Sequence, residues 1–274
     1  MPTWIGREYH MTGKDGSIPG VPVFDLEGKV AIITGAARGI GKGIAWAYAG
    51  YGCRLALLDI RAELLGETAR EIEDTFGSEV IVCPGDVRDG AVADACVDAC
   101  VNRWGHIDIL VNNAGVGMTR LAMECDEDEF DEIVDTDLKA VFFFSKKVAR
   151  IMIEQKKGNI INLASVVARV GSSRMTPYMA AKAGVVQMTR GLAFEWARFN
   201  VRVNCICPGY INTGMTEDTL SNPKAYDAIT RMIPHERKVG EPVDIAAAAV
   251  FLASDCTELI TGIPLYVDAG RSIW

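Results

Sequence analysis

The chain has 274 residues, 49% of them hydrophobic, and a formal net charge of −8, with no Lys/Arg block longer than a pair. That balance gives no electrostatic footprint for nucleic acid or an acidic membrane surface. No apolar stretch is long enough to span a bilayer, and MPTWIGREYHMTGKDGSIPG lacks the apolar stretch of a secretory signal, so a soluble, cytoplasmic protein is expected. Of the eight cysteines, Cys96/Cys100 and Cys205/Cys207 sit in apolar periodic runs, and the three histidines are scattered. This fits buried, reduced thiols and no metal site.

Residues 1–24 are punctuated by Gly and Pro without periodicity and read as an N-terminal extension, ahead of a single domain over 25–274. From Lys29 onward, short apolar runs (KVAIIT, RLALLDI, EVIVC, IDILVNN, NIINLAS, VRVNCIC and IPLYVDA) alternate with helix-length amphipathic segments. Strand–helix–strand repetition requires crossover helices and therefore parallel pairing. The expected fold is α/β, a doubly wound parallel sheet of about seven strands with helices on both faces.

The first strand runs into TGAARGIGKGIA, with glycines at 35, 39 and 41. Such a turn brings free backbone N–H groups and the positive helix end up to a pyrophosphate; Arg38 and Ile40 belong to the same turn. Asp59 closes the second strand twenty residues after Gly39. A carboxylate there accepts hydrogen bonds from a ribose 2′-hydroxyl and repels a 2′-phosphate, which favours NAD over NADP. Asp59 as a cap for the helix starting near Arg61 is the alternative, and the Arg38 guanidinium would tolerate phosphate. After the third strand, Asp86 and Val87 are placed to bracket an adenine ring, and Asn113, Ala114 and Gly115 of NNAG would let backbone lie close to a cofactor. Ordinary turn chemistry accounts equally for both.

The fifth strand ends near Ser165. A helix is expected from Pro177 onward, which puts Tyr178 and Lys182 at i and i+4 on one face. An ammonium beside a phenol stabilises the phenolate and is expected to lower a pKa of about 10 towards that of a working general base. Ser165 would share the substrate oxygen. The polar interval from Thr213 to Glu241 follows a strand's carboxyl end and reads as a lid.

With these motifs in hand, residues 26–270 resemble a short-chain dehydrogenase/reductase, a family with a Rossmann-type fold. The resemblance rests on TGAARGIG, Asp59, Asp86-Val87, NNAG, Ser165, Tyr178-x-x-x-Lys182, PGYINT from Pro208 to Thr213, and VDAG at 267. It implies hydride transfer between a nicotinamide and a small-molecule alcohol or ketone. Tyr178 would move the proton and Ser165 hold the oxygen. Lys182 would tune Tyr178 and bind the ribose, while Pro208, Gly209, Ile211 and Thr213 would line the nicotinamide end, with Ile211 and Thr213 holding its carboxamide.

The commonest family pattern carries Asn-Leu where this chain has Asp137-Leu138, and some members of the gluconate 5-dehydrogenase subgroup it resembles share the Asp-Leu. Asp137 falls on an apolar stripe of a helix expected from Asp126, and a buried carboxylate needs partners. It is either satisfied by backbone or water where the helix is distorted, or holds a water that links Lys182 to solvent; the two are compatible.

Around the site the pattern is similar to the gluconate 5-dehydrogenase subgroup, which implies a sugar acid or polyol. Arg174, Arg231, His235 and Arg237 are candidate carboxylate ligands. A 3-oxoacyl-thioester or steroid reductase on the same scaffold, and an inactive nucleotide-sensing or scaffold protein, are the alternatives. By resemblance, the long helices would pair copies into a homotetramer or homodimer.

Overall fold

The computed structural model describes residues 24–117, 119–236 and 238–273; the expected N-terminal extension and Arg237 lie outside the described residues, Phe24 excepted. All seven expected runs form strands: β1 (Val30–Thr34), β2 (Arg54–Asp59), β3 (Val80–Pro84), β4 (Ile109–Asn112), β5 (Gly158–Leu163), β6 (Val201–Pro208) and β7 (Pro264–Val267). They pair in parallel as one sheet of order β3-β2-β1-β4-β5-β6-β7. The order reverses beside β1, between β1 and β4, and that switch point opens a crevice at the carboxyl ends of the strands.

Nine α-helices occur among the described residues: α1 (Gly39–Gly50), α2 (Ala62–Phe76), α3 (Gly90–Trp104), α4 (Glu127–Val134), α5 (Ala140–Gln155), α6 (Thr176–Trp196), α7 (Glu217–Leu220), α8 (Pro223–Thr230) and α9 (Pro242–Ala253). The period-two alternation of the strands sorts their side chains between two cores. Ala31, Ile33, Leu55, Leu57, Ile109 and Val111 pack with α1, α2 and α9. Val30, Ile32, Ala56, Leu58 and Leu110 pack with α3, α5 and α6 on the opposite face. Each of the Val, Leu and Ile side chains among them, fully buried, contributes about 1.5–3 kcal/mol.

Two departures from the expected pattern follow from position. The edge strands β3 and β7 are only partly covered, because each has a single neighbour. The helix expected from Asp126 is not continuous. Asp126 does cap α4, in a reciprocal capping box with Glu129, but a π-helical turn over Asp135–Lys139 separates α4 from α5.

Candidate active site

The turn between β1 and α1 is built for close backbone approach. Gly39 has φ +58°, a left-handed conformation that favours glycine. A Cβ at Gly41 would lie 2.1 Å from the Gly35 carbonyl oxygen and 2.5 Å from Asn113 Nδ2. No side chain caps α1, so its first N–H groups are left for an external acceptor such as a pyrophosphate. These features fit the phosphates of a dinucleotide.

Asn113 proves to be a brace for this turn. Its Nδ2 donates to the carbonyls of Thr34 (2.9 Å) and Gly35 (3.0 Å). Thr34 Oγ1 accepts the backbone N–H groups of both Asn113 and Ala114 at 3.0 Å. The motif reading passed over Thr34, although its hydroxyl at the end of the first strand was visible in the sequence.

Asp59 is buried at the end of β2. Its Oδ2 accepts from Ala37 N at 3.1 Å and its Oδ1 from Arg61 N at 3.0 Å; the N-cap of α2 is Arg61, without a side-chain cap bond, so Asp59 ties the nucleotide turn to the start of α2 and does not itself cap the helix. Oδ2 retains a lone pair for a further donor, which leaves the ribose reading available. Arg61 places its guanidinium 3.4 Å from Oδ1. Arg38 lies elsewhere: a Cβ on Gly214 would sit 2.6 Å from Arg38 Nη1, so this guanidinium rests against the start of the lid. Asp86 is taken up locally, its Oδ2 held by Arg88 Nη2 at 2.6 Å and Nε at 2.9 Å. That pairing holds the Asp86 carboxyl below its ordinary range. Val87 lines a small cavity with Thr34, Ala114 and Phe144.

Across the crevice, β5 delivers Ser165 and α6 delivers Tyr178 and Lys182. Pro177 stands in the first turn of α6, where its missing N–H costs nothing. The Ser165 hydroxyl accepts from Val167 N at 3.3 Å and stands close enough to the Tyr178 phenol to favour its ionised form. Lys182 Nζ lies 5.5 Å from the Tyr178 ring centroid and donates to the Leu163 carbonyl at 3.0 Å. The three groups expected to act together are therefore brought together.

One expectation is corrected. Burial is the largest influence on the Tyr178 phenol and pushes it up; Lys182 pulls it down, Asp137 pushes it up and the Ser165 hydroxyl pulls it down, with the net result above the ordinary tyrosine range. The lowering by Lys182 is present but outweighed. Tyr178 keeps part of its surface exposed, so the cost of charging it is smaller than for a sealed phenol.

Asp137 explains part of that balance. The π-helical turn carries it inward, where Val116 N donates to Oδ1 at 2.8 Å and Lys182 Nζ stands 3.2 Å from Oδ2. Asp137 is fully buried and the Lys182 side chain is 4% exposed. Burial pushes the Asp137 carboxyl up, against Lys182 and the Val116 N–H. Burial is the largest single influence on Lys182 and pulls it down, but Asp137, Tyr178 and Cys207 together hold it above its ordinary value. The carboxylate thus meets the ammonium directly.

Beyond β6, Gly209 N donates to Val267 O at 2.9 Å, which ties the PGYINT turn to β7. Ile211 is buried and bridges to Gly240. Thr216 Oγ1 joins the turn internally, donating to Ile211 O at 2.6 Å and accepting from Thr213 N at 3.1 Å. The lid carries the short helices α7 and α8. Of the expected carboxylate ligands, Arg231 is paired with Asp227 at 2.7 Å on the surface, and Arg174 and His235 are exposed. A pocket of about 530 Å³ is lined by Ala122, Phe130, Thr176, Pro177 and Ala180 among others, and by none of Ser165, Tyr178 and Lys182; it lies apart from the chemistry.

Comparison with known proteins agrees with this arrangement. A family model described as enoyl-(acyl carrier protein) reductase matches residues 35–272. The chain is 40% identical over 251 residues to the D-threitol dehydrogenase of Mycolicibacterium smegmatis, covering 91% of this chain and 95% of that one. It is 39% identical over 247 residues to the 3-oxoacyl-[acyl-carrier-protein] reductase FabG of Chlamydia muridarum, covering 90% and 98%. To the 5-keto-D-gluconate 5-reductase of Escherichia coli K12 it is 37% identical over 252 residues, covering 92% and 98%. A glycine turn and a serine–tyrosine–lysine cluster face one crevice, and relatives 37–40% identical match nine-tenths of the chain; the chain belongs to the short-chain dehydrogenase/reductase family of nicotinamide-dependent oxidoreductases acting on CH–OH groups.

Proposed function

We propose that this chain interconverts a secondary alcohol and a ketone on a polyol or sugar acid, with NAD as the preferred cofactor. The observation that carries the reading is the Tyr178 phenol with the Lys182 ammonium 5.5 Å from its ring, one turn along α6, and Ser165 beside it at the end of β5, across from the uncapped start of α1. The bound cofactor gives or takes the hydride at its nicotinamide. The protein's own part is proton handling and orientation. In reduction Tyr178 gives its O–H proton to the carbonyl oxygen, Ser165 holds that oxygen by hydrogen bond, and the Lys182 ammonium offsets the charge left on the phenol oxygen. Oxidation runs the same proton in reverse.

Gly35, Gly39, Ile40 and Gly41 would hold the pyrophosphate, Asp59 the adenosine ribose, and Val87, Ala114 and Gly115 the adenine side of the crevice. Pro208, Gly209, Ile211 and Thr213 would hold the nicotinamide end. The buried Asp59 carboxylate disfavours a 2′-phosphate, which supports NAD.

For the substrate, the relatives named for threitol and 5-ketogluconate support a polyhydroxylated compound. The relative named for an acyl-carrier-protein substrate supports the second reading, a 3-oxoacyl-thioester reductase. The exposed run Asp126–Glu132, with acidic residues at 126, 127, 128, 129, 131 and 132, repels an acidic carrier protein near the site and favours the first. Free thiols at Cys53, Cys83, Cys96, Cys100, Cys205 and Cys207 support action in the cytoplasm. A homotetramer or homodimer is supported by the exposed aromatics Phe142 and Phe143 on α5 and Phe194 on α6. A single catalytic domain over 25–274 completes the reading.

The test is a substrate panel of keto sugar acids, ketoses and 3-oxoacyl thioesters with NADH, followed by nicotinamide absorbance. The expected kcat/KM for the sugar-type ketones exceeds that for the thioesters by at least roughly tenfold. The reverse order would overturn the substrate class.

A further inference from the structure

A carboxylate, Asp137, is buried beside Lys182, and the structure shows where its charge goes. The π-helical turn Asp135–Lys139 drops the Asp137 carboxylate onto Lys182 Nζ at 3.2 Å, with both side chains out of solvent. The contact at Oδ2 is not an aligned hydrogen bond; charge alone holds the ammonium there, while its directional bond runs to the Leu163 carbonyl. From this geometry, and resting on the acid–base reading of Tyr178 given above, we infer that Asp137 is a positioning residue that pins Lys182 and neutralises it, so that the site works as a proton donor to a ketone at neutral pH and as a proton acceptor from an alcohol only at alkaline pH.

The argument is a charge count. With a neutral residue at 137, the cluster carries +1 with Tyr178 as phenol and becomes neutral as phenolate, so ionisation removes a buried net charge. With Asp137 the cluster is neutral as phenol and −1 as phenolate, so ionisation creates one. Creating a net charge away from water is the costlier of the two. The other groups facing this cluster do not restore the balance. Ser165, beyond β5, is uncharged, and so is Cys207 on β6, whose thiol is held protonated chiefly by its neighbour Cys205. The β4 turn contributes only the Val116 N–H, already spent on Asp137. On the π-helical turn itself Asp135 and Lys139 pair with each other at 3.0 Å on the exposed side.

In the reductive step the Tyr178 O–H bond breaks and its proton passes to the carbonyl oxygen, while the carbonyl carbon takes the two electrons of the hydride from the reduced cofactor. The phenolate left behind is returned to phenol by a proton from water. In this protein that recharging is favoured at neutral pH, and the opposite step, removal of an alcohol proton, waits for alkali.

The experiment compares the pH dependence of kcat for alcohol oxidation and ketone reduction in the unaltered full chain and in Asp137→Asn. The substitution is expected to move the acid limb of the oxidation profile down by about one pH unit, the scale of a single neighbouring charge, with oxidation gaining on reduction at neutral pH. A limb that stays put or moves up overturns the inference. Because Asp137→Asn changes a fully buried residue, a second measurement uses the unsubstituted chain: carbon-13 tyrosine NMR, with the Tyr178 signal assigned by its loss in Tyr178→Phe. Tyr178 is expected to ionise above about pH 10, the free phenol value; ionisation below that value overturns the inference as well. The two readings fail separately. Should Tyr178→Phe turn over at the parental rate, the acid–base assignment itself is lost; should Tyr178→Phe be inactive while the Asp137→Asn profile is unmoved, only the role of Asp137 is lost.

Discussion

Tyr178 and Gly41 show what single residues contribute. The phenol is useful because its charge is contested, by burial and Asp137 on one side and by Lys182 and Ser165 on the other. Gly41 is useful because it has no side chain. A methyl group there would meet the Gly35 carbonyl at 2.1 Å, far inside contact distance, and the turn would have to open. Gly41→Ala is therefore expected to weaken NADH binding by at least about tenfold, 1.4 kcal/mol, in a fluorescence titration. Unchanged affinity would remove the turn from the phosphate site. Both residues were legible as motifs, Gly41 from the glycine spacing and Tyr178 from the i, i+4 partner. The direction of the Tyr178 shift was not. It depends on how close Asp137 comes to Lys182, and no spacing rule reports that a helix slips into a π turn at Asp135–Lys139.

Among the elements, β4, β5, α5 and α6 are tied by a buried chain of polar side chains that positions the catalytic helix. Asn112 Nδ2 donates to Ser145 Oγ at 2.9 Å and to Asn162 Oδ1 at 2.8 Å, and Asn162 Nδ2 donates to Thr189 Oγ1 at 3.0 Å. All four residues are buried, so removing one link strands its neighbours without water. Asn162→Ala is expected to lower the unfolding free energy by about 2–3 kcal/mol in urea denaturation. A loss below about 0.5 kcal/mol would show that the chain does not hold these elements. The strands themselves were readable from their apolar runs, since parallel strands buried on both faces need little else. This polar chain was not, because Asn112 and Asn162 sit inside those runs and look like interruptions until the register places them side by side.

For the whole molecule, the sheet order brings the ends of β1, β2, β4, β5 and β6 to one edge. Groups from Gly35 to Lys182 thereby meet in one crevice, although they are far apart in sequence. The alternation of strands and helices predicted that convergence; the surface around it was less legible. Arg231 is spent on Asp227, a local i, i+4 pair that the spacing could have shown, whereas Arg38 rests against Gly214, a contact made only in the tertiary fold. Among the described residues no helix is long and apolar enough to cross a membrane, in keeping with the balanced hydrophobicity of the sequence. On the proposed mechanism, this architecture serves proton exchange at the Tyr178 phenol. The most direct test is the turnover of Tyr178→Phe, with NADH binding confirmed by fluorescence. The variant should still bind NADH and lose at least about a hundredfold in kcat, the scale of general acid–base catalysis; turnover within about threefold of the parent would contradict the account.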